Sequence, residues 1–201
     1  MSNNRFMFLA DDYIPDQKKI EKKTDKKIYY ISKIKKLDEN SFNLNAKVYY
    51  YIKNLFNELI LTNNKSEIEV IKEIFSIGKS RIDKIIVIGN LFYLAVRKDK
   101  LNLMQIIVSR ITEEECKIIV NSFDHNYTPL MHAAYNGQVG AVKLLLIWGA
   151  NSNIINKDNE DIYMCIENGL KNSVEKNKSL ELLIKCRYDE INEYISSWNW
   201  K

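Results

Sequence analysis

Apolar residues recur at helical spacing through most of this 201-residue chain, and the helical stretches come in pairs. From residue 47 onward, the side chains of each stretch would line one face of a helix. The paired segments are 47–61 with 66–77, 90–97 with 101–110, 128–136 with 139–148, and 161–168 with 178–187. A series of helix pairs predicts an all-α fold built from repeated hairpins.

The first 44 residues follow a different pattern. An apolar stripe at residues 28–37 predicts one helix, which would cover the first hairpin, and no comparable stripe precedes it. Its apolar residues are Ile28, Tyr29, Ile31, Ile34 and Leu37. We therefore divide the chain into a basic, partly flexible segment with a capping helix, residues 1–44, and a repeat domain, residues 45–201.

The clearest hairpin lies at residues 128–150, where each of its features has a local physical cause. Thr128 can accept a backbone N–H at the start of the first helix, and Pro129 suits the next position because it has no N–H to leave unpaired. Gly137 and Gly149 can take the left-handed conformation that ends a helix. The sequence therefore predicts a helix, a tight turn and a second helix.

Small side chains in this hairpin favour stacking against other hairpins. Ala133 and Ala134 let a neighbouring helix approach closely, while the second helix has a broad apolar face. That face consists of Val139, Val142, Leu144, Leu145 and Leu146. One hairpin of this size cannot bury its apolar surface alone, so units of this kind occur in stacks.

Residues 124–156 resemble an ankyrin repeat, whose family pattern is GxTPLHxAAxxGHxxxVxxLLxxGAxxN. The positions that match without a gap are Thr128, Pro129, Leu130, Ala133, Ala134, Gly137, Val142, Leu144 or Leu145, Gly149, Ala150 and Asn153. The departures are Asn126 at the turn glycine, Met131 at the first histidine and Gln138 at the second. The resemblance implies an all-α ankyrin-repeat solenoid of about four helix-turn-helix units with an N-terminal helical extension.

The flanking units are more divergent. Residues 90–108 overlay on residues 128–146 with a shift of 38 positions, and Asp99 takes the place of the stop glycine. Residues 157–169 resemble a first helix that ends at Gly169, so residues 170–178 are either an inserted loop or an extension of that helix. Aromatic and apolar residues near the C-terminus would cover the last unit, namely Tyr194, Ile195, Trp198 and Trp200.

The resemblance also implies where a partner would bind. In the ankyrin family, loop tips and the exposed ends of the first helices line a concave surface that usually holds another protein. The exposed positions carried over from the clear repeat are Asp124, His125 and Tyr127 on the loop and Tyr135 and Asn136 on the helix. By the weaker overlay, Arg97 and Lys98 stand at the places of Tyr135 and Asn136.

We therefore expect a non-enzymatic protein–protein interaction module. Tyr127, Tyr135 and Arg97 are the expected anchors, because tyrosine and arginine dominate interface energetics. Such a module would be an adaptor, an inhibitor, or an immunity or host-targeting protein of a microbe or virus, and we expect neither a cofactor nor a metal.

The chain carries none of the usual sequence marks of a catalytic or metal site. It has no glycine-rich phosphate loop, no GxSxG turn and no paired cysteine or histidine spacing. The three cysteines, Cys116, Cys165 and Cys186, are odd in number and sit within apolar helical patterns. We interpret them as reduced core residues.

Two other chemical features have simple structural interpretations. The histidines, His125 and His132, have no patterned nucleophile or carboxylate beside them, so we interpret them as structural or surface groups. The acidic run Glu113–Glu115 follows Thr112, and acidic residues after a capping threonine are typical of a helix start.

The net charge of +4 is concentrated in lysines between residues 18 and 36. Together with Tyr29–Tyr30 and Tyr49–Tyr51, this segment suggests an alternative function, a nucleic-acid-associated protein that contacts phosphates and stacks bases. Asp16, Glu21 and Asp25 dilute the basic charge, whereas a nucleic-acid footprint needs a concentrated basic face. We therefore rank this alternative second.

No segment has the pattern of a targeting sequence or a membrane span. The apolar run at residues 6–10 is short and is followed at once by Asp11 and Asp12, unlike a secretory signal. We expect a cytoplasmic protein without membrane contact, located in the host cytoplasm if it comes from a virus or an intracellular microbe.

Overall fold

The computed structural model describes residues 7–8, 30, 32–33, 47–48, 50–55, 72, 75, 81–124, 126–177 and 181–198. These residues are mostly helical, with one short pair of strands. The elements are β1 (Met7–Phe8), α1 (Arg81–Arg97), α2 (Leu101–Val108), α3 (Glu113–Val120), β2 (Phe123–Asp124), α4 (Pro129–Tyr135), α5 (Val139–Ile147), α6 (Ile162–Lys176) and α7 (Glu181–Trp198). The predicted all-α repeat solenoid is confirmed.

The clear hairpin forms from the residues that predicted it. The Thr128 hydroxyl accepts the Met131 N–H at the start of α4, with Pro129 in the first turn. Gly137 takes a φ of +66° between α4 and α5, and Gly149 takes a φ of +89° after α5. Asp99, which replaces the stop glycine between α1 and α2, also adopts a positive φ of 51°. The overlay of these two hairpins is therefore confirmed at its turn.

The first helices of three successive units stack in a row. Helix α4 packs between α1 and α6, and the second helices α5 and α7 also contact each other. The helix-capping residues Thr128 and Asp161 are 33 positions apart, which is the ankyrin period. Each accepts the N–H three residues later, so consecutive units begin with the same local structure.

Helix α3 is an additional element between α2 and the next unit. Thr112 and Glu115 form a capping box, in which the Thr112 hydroxyl accepts the Glu115 N–H and the Glu115 carboxylate accepts the Thr112 N–H. The cap proposed for the acidic run is confirmed. Glu115 is buried and pairs with Lys84 of α1 at 3.1 Å, which fixes α3 against the first helix. This inserted helix explains the longer repeat spacing of 38 residues in that unit.

Helix α6 does not end at Gly169, contrary to the sequence-based prediction. It continues to Lys176, so the segment after Gly169 is an extension of the helix and not a loop. A Cβ atom at Gly169 would lie 2.0 Å from the Tyr135 carbonyl oxygen. This glycine is therefore needed for the close approach of α4 and α6 rather than for helix termination.

The core encloses α1 on every side. Residues 85–96 of this helix are all buried, and their apolar side chains occupy its whole circumference. Tyr30, Val48 and Tyr51 belong to the same core cluster as α1. Residues 50–55 are helical, as predicted for the first unit, and residues 30, 32 and 33 are helical within the predicted capping helix. The remaining positions of both predicted elements lie outside the described residues, and the domain division at residue 44 stays a prediction.

Four residues were predicted to cover the C-terminal end of the stack, and three of them do so. Ile195 is fully buried, and the rings of Tyr194 and Trp198 stack with their centroids 6.0 Å apart. Both rings pack against the core. Trp200 lies outside the described residues.

The strand β1 is an element that the sequence did not predict. Met7 and Phe8 pair in parallel with Phe123 and Asp124, although we expected only partly flexible structure before residue 28. The pairing places the start of the chain beside the connection that leads into the clear repeat.

Candidate functional site

The connection that leads into α4 is a narrow turn closed by backbone hydrogen bonds. The Asp124 N–H donates to the Tyr127 carbonyl at 3.0 Å, and the Tyr127 N–H donates to the Asp124 carbonyl at the same distance. His125, which the sequence placed at the tip, lies outside the described residues. These two backbone hydrogen bonds therefore hold the turn in place.

Asp124 is not an exposed loop residue, so this part of the predicted surface is wrong. Only 1% of Asp124 is accessible to solvent. Its backbone pairs with Tyr127 on one side, and its own strand pairs with Met7–Phe8 on the other. The residue is enclosed between these two partners, which the repeat pattern alone could not show.

Tyr127 faces the next unit of the stack. Its hydroxyl donates to the Glu160 carboxylate at 2.9 Å, and the same carboxylate accepts hydrogen bonds from the side-chain amides of Asn156 and Asn168. Burial, followed by the hydrogen bond to Glu160, raises the pKa of Tyr127 far above its usual value. The hydroxyl is thus held within the protein and joins two consecutive connections.

The second connection is built around Asn156. Its side-chain carbonyl accepts the backbone N–H groups of Asp158 and Glu160, both at 2.9 Å. Asn126 bridges from the first connection, because its amide donates to the Asp158 carboxylate and its carbonyl accepts the Lys157 N–H. Neighbouring connections therefore form one polar network along the edge of the stack.

Tyr135 is also tied to neighbouring elements. Its hydroxyl accepts a hydrogen bond from Asn172 of α6 at 3.0 Å, and its backbone carbonyl accepts one from the Tyr188 hydroxyl of α7 at 2.6 Å. The rings of Tyr127 and Tyr135 lie 6.3 Å apart. The structure thus brings these two predicted residues together, but half-buried and engaged with the next unit.

The exposed part of the predicted surface lies at the ends of the first helices. Arg97, Lys98 and Asn136 are exposed, at the C-terminal ends of α1 and α4. The Asn136 amide donates to the His132 carbonyl at 2.7 Å and lies 3.0 Å from His132 Nδ1. His132 therefore belongs to this surface, although sequence reasoning left it out.

His132 links the two helix ends. Its ring meets the edge of Tyr93 of α1 at a centroid distance of 5.5 Å. Burial, and to a smaller extent the positive charge of Arg97, lowers the pKa of His132 to about 4. Arg97, His132 and Asn136 consequently form a continuous group, with a neutral imidazole at its centre near pH 7. A clue was available in the sequence, because His132 precedes Asn136 by one helical turn.

The comparison with known protein families agrees with this arrangement. The family model described as ankyrin repeats (3 copies) matches residues 57–158, half of the chain. The chain belongs to the ankyrin-repeat family. No match to it was found among the curated proteins or the solved structures. The family match ends before α6, but α6 packs on α4 as the first helix of a further ankyrin unit.

Ankyrin repeats generally mediate protein–protein interactions, and the family is typically non-enzymatic. In this ankyrin protein α1 contributes little to the solvent-facing side of the row of first helices, because residues 85–96 are all buried. The first-helix residues that remain exposed in this row include Arg97 and Asn136, followed in α6 by Asn168. Exposure is wider on α6, where Tyr163, Met164 and Glu167 are also exposed.

The remaining chemical candidates do not form a site. Cys116 and Cys165 are buried and reduced, and burial raises the pKa of the Cys165 thiol to about 12. Cys186 is exposed, which corrects its interpretation as a core residue. Among the described residues there is no group of histidine, cysteine and carboxylate side chains that could hold a metal ion.

Two further findings concern the predicted lack of membrane contact and the alternative function in nucleic-acid binding. No described helix combines the length and the apolar character needed to cross a bilayer. Of the lysines between residues 18 and 36, the structure describes only Lys33, so the nucleic-acid alternative falls mostly outside the described residues.

Proposed function

We propose that this ankyrin-repeat protein is an adaptor or inhibitor that binds a partner protein through the helix ends carrying Arg97, Lys98, His132 and Asn136. The observation that supports it is the adjacency of these residues on two consecutive first helices, where the ankyrin family exposes its variable positions. In the proposed biological setting, a microbe or virus directs the protein at a host or rival protein.

The chemistry of this surface favours a partner with carboxylate or carbonyl groups. Arg97 has a planar set of N–H donors, and Lys98 adds a positive charge. The Asn136 amide is bonded to His132, so its side-chain carbonyl is the group that can accept a hydrogen bond from a partner. Tyr127 and Tyr135 act mainly by holding the adjoining connections in place, because their hydroxyls already bond to Glu160 and Asn172. Binding at this surface would need no large rearrangement of those tyrosines.

A capture experiment tests the proposal. Full-length protein and an Arg97→Glu/Asn136→Ala variant are used to enrich proteins from cells of the source organism and, for a virus or parasite, from its host. Proteins that bind this surface should be recovered at least about tenfold less by the variant, because an arginine anchor commonly contributes more than a factor of ten to affinity.

A matched control separates a local effect from a change in net charge. Arg110→Glu reverses a charge on an exposed residue just beyond α2, at the opposite end of that hairpin from Arg97. This control should retain the captured proteins. Recovery of the same proteins by all three forms would reject the helix-end surface. Alanine is avoided at Tyr127 and Tyr135 because it would disturb folding as well as binding.

A further inference from the structure

The strand β2 has backbone partners on both of its edges. Asp124 pairs with Tyr127 across the turn, and the Phe123–Asp124 strand pairs in parallel with Met7–Phe8 on the other side. The register sets Met7 opposite Phe123 and Phe8 opposite Asp124. The connection into α4 is thus extended by a strand that comes from a distant part of the chain.

This pairing joins segments that are 116 positions apart, from residue 7 to residue 123. Because Tyr30 already belongs to the shared core, the loop that this pairing closes runs from residue 8 to residue 30, and its closure costs conformational entropy. The Asp124 N–H and C=O both bond to Tyr127, so the backbone groups that β2 offers on the side of Met7–Phe8 are those of Phe123. The residues that pair with it are Met7 and Phe8, and in the sequence they belong to the apolar run Phe6–Ala10, which is followed by two aspartates.

We propose that the outer edge of Phe123–Asp124 is a recognition site for extended apolar peptide segments, which add to it as a parallel strand. Met7–Phe8 fills this site within the chain, and a partner protein with a similar extended apolar segment would replace it. Backbone hydrogen bonds supply affinity in this mode, and alternate side chains supply selectivity. The site depends on a backbone edge and not on the exposed helix ends, so it is independent of the proposed partner surface.

The internal strand β1 competes with any added peptide for the edge of β2. A tethered segment acts at an effective concentration in the millimolar range, so an added peptide must exceed that competition to bind. Weakening the internal strand should therefore expose the site without changing the edge itself.

The first test measures the internal pairing. In the full-length protein, Met7→Pro/Phe8→Pro removes two backbone N–H groups and disfavours strand addition. Amide exchange followed by NMR should accelerate by at least about tenfold at Phe123, while amides in the middle of α5 keep their rates. A control, Ser2→Pro/Asn3→Pro, has the same number of prolines outside β1 and should match the wild type. Unchanged exchange at Phe123 in the Met7→Pro/Phe8→Pro protein would overturn the proposal.

The second test measures recognition. A fluorescent peptide with the sequence of residues 4–12 is titrated into the wild type and into the Met7→Pro/Phe8→Pro protein, up to about 1 mM, which reaches the effective concentration of the tethered strand. The opened protein should bind at least tenfold more tightly than the wild type. A peptide that carries the two prolines should not bind. Equal binding to both proteins, or none to the opened protein, would show that this edge is not a peptide-recognition site.

Discussion

Single residues in this protein are fixed by neighbours that are distant in sequence, and His132 is the clearest case. The ring is held between Tyr93 of the preceding unit and Asn136 on its own helix. Since Nδ1 lies within hydrogen-bond distance of the Asn136 amide, the neutral ring can accept there and keep its proton on Nε2. Protonation would abolish that acceptor and place a second positive charge near Arg97.

The stability of the protein should consequently depend on pH through His132. The unfolded chain protonates its histidines below about pH 6.5, whereas folded His132 has a pKa of about 4. Between these values the unfolded state binds more protons, so the free energy of unfolding falls as the pH falls. Urea denaturation of the wild type and His132→Gln at pH 7 and pH 4 should show about 1–3 kcal/mol more loss for the wild type. Parallel losses would contradict the assigned pKa.

Two glycines within helices should respond in opposite ways to the same substitution. At Gly169 an added Cβ would lie 2.0 Å from the Tyr135 carbonyl oxygen, which cannot move without displacing α4. At Gly140 its nearest neighbour would be the end of the Leu101 side chain, at 2.7 Å. We expect Gly169→Ala to lower the free energy of unfolding by about 3 kcal/mol or more, through overpacking.

Gly140→Ala is the matched control, because it also replaces a helical glycine. We expect it to be neutral or to stabilise the protein by up to about 1 kcal/mol, since alanine is the better helix former and Leu101 can change rotamer. Chemical denaturation of both variants gives the comparison. A small effect at Gly169 would mean that α4 and α6 do not approach as closely as described.

At the scale of elements, Tyr188 joins the last helix to the clear repeat. Its buried hydroxyl on α7 donates to the Tyr135 carbonyl of α4 at 2.6 Å and lies 3.1 Å from the Ser173 hydroxyl of α6. One side chain thus connects three helices, and the Tyr135 carbonyl gains a partner where Gly169 allows the helices to touch.

Replacing this hydroxyl should weaken the C-terminal end of the stack. Tyr188→Phe removes the hydrogen bonds but keeps the ring, so we expect a loss of about 1–3 kcal/mol in the free energy of unfolding. Tyr194→Phe makes the same chemical change on the same helix, at a partly buried ring that stacks on Trp198. We expect less than about 0.5 kcal/mol there. Equal losses in thermal and urea denaturation would refute the special role of Tyr188.

The elements that the sequence predicted are those with local causes. Thr128, Thr112 and Gly137 act within a few positions of themselves, so the helix starts and the turn after α4 could be read directly. Helix α6 was assigned too short because a glycine in a helical pattern resembles a stop residue. Its actual cause, the carbonyl of Tyr135, lies 34 positions away and leaves no local trace. The strand β1 was missed for the same reason.

The candidate surface was likewise predicted where the causes are local and missed where they are distant in sequence. The family pattern located the exposed helix ends, but it assigned Asp124 to solvent because it carries no information on strand β1. It also could not show that Tyr127 and Tyr135 bond to Glu160 and Asn172 of the next unit. The repeat pattern predicts the position of a side chain only where the units resemble each other. The predictions fail where residues of one unit contact residues of another unit.

On the scale of the whole molecule, the repeat stack and the N-terminal residues share one core. The cluster that contains α4, α5 and α6 also contains Tyr30, Val48 and Tyr51. In a simple solenoid each unit contacts only its neighbours, so stability is a sum of units and interfaces. Here α1 packs against α2, α3 and α4 and shares its core with Tyr30, Val48 and Tyr51. The stability of α1 therefore depends on the repeat units and on the N-terminal residues.

The enclosure of α1 also restricts how this protein can change in evolution. Repeat arrays lengthen or shorten by duplication and deletion of whole units, which is tolerated when a unit has two flat, interchangeable faces. A copy of α1 inserted elsewhere would expose the apolar side chains at residues 85–96 that are now covered, and loss of its covering residues would do the same. Duplication or deletion of units is thus expected to be poorly tolerated in the part of the array around α1.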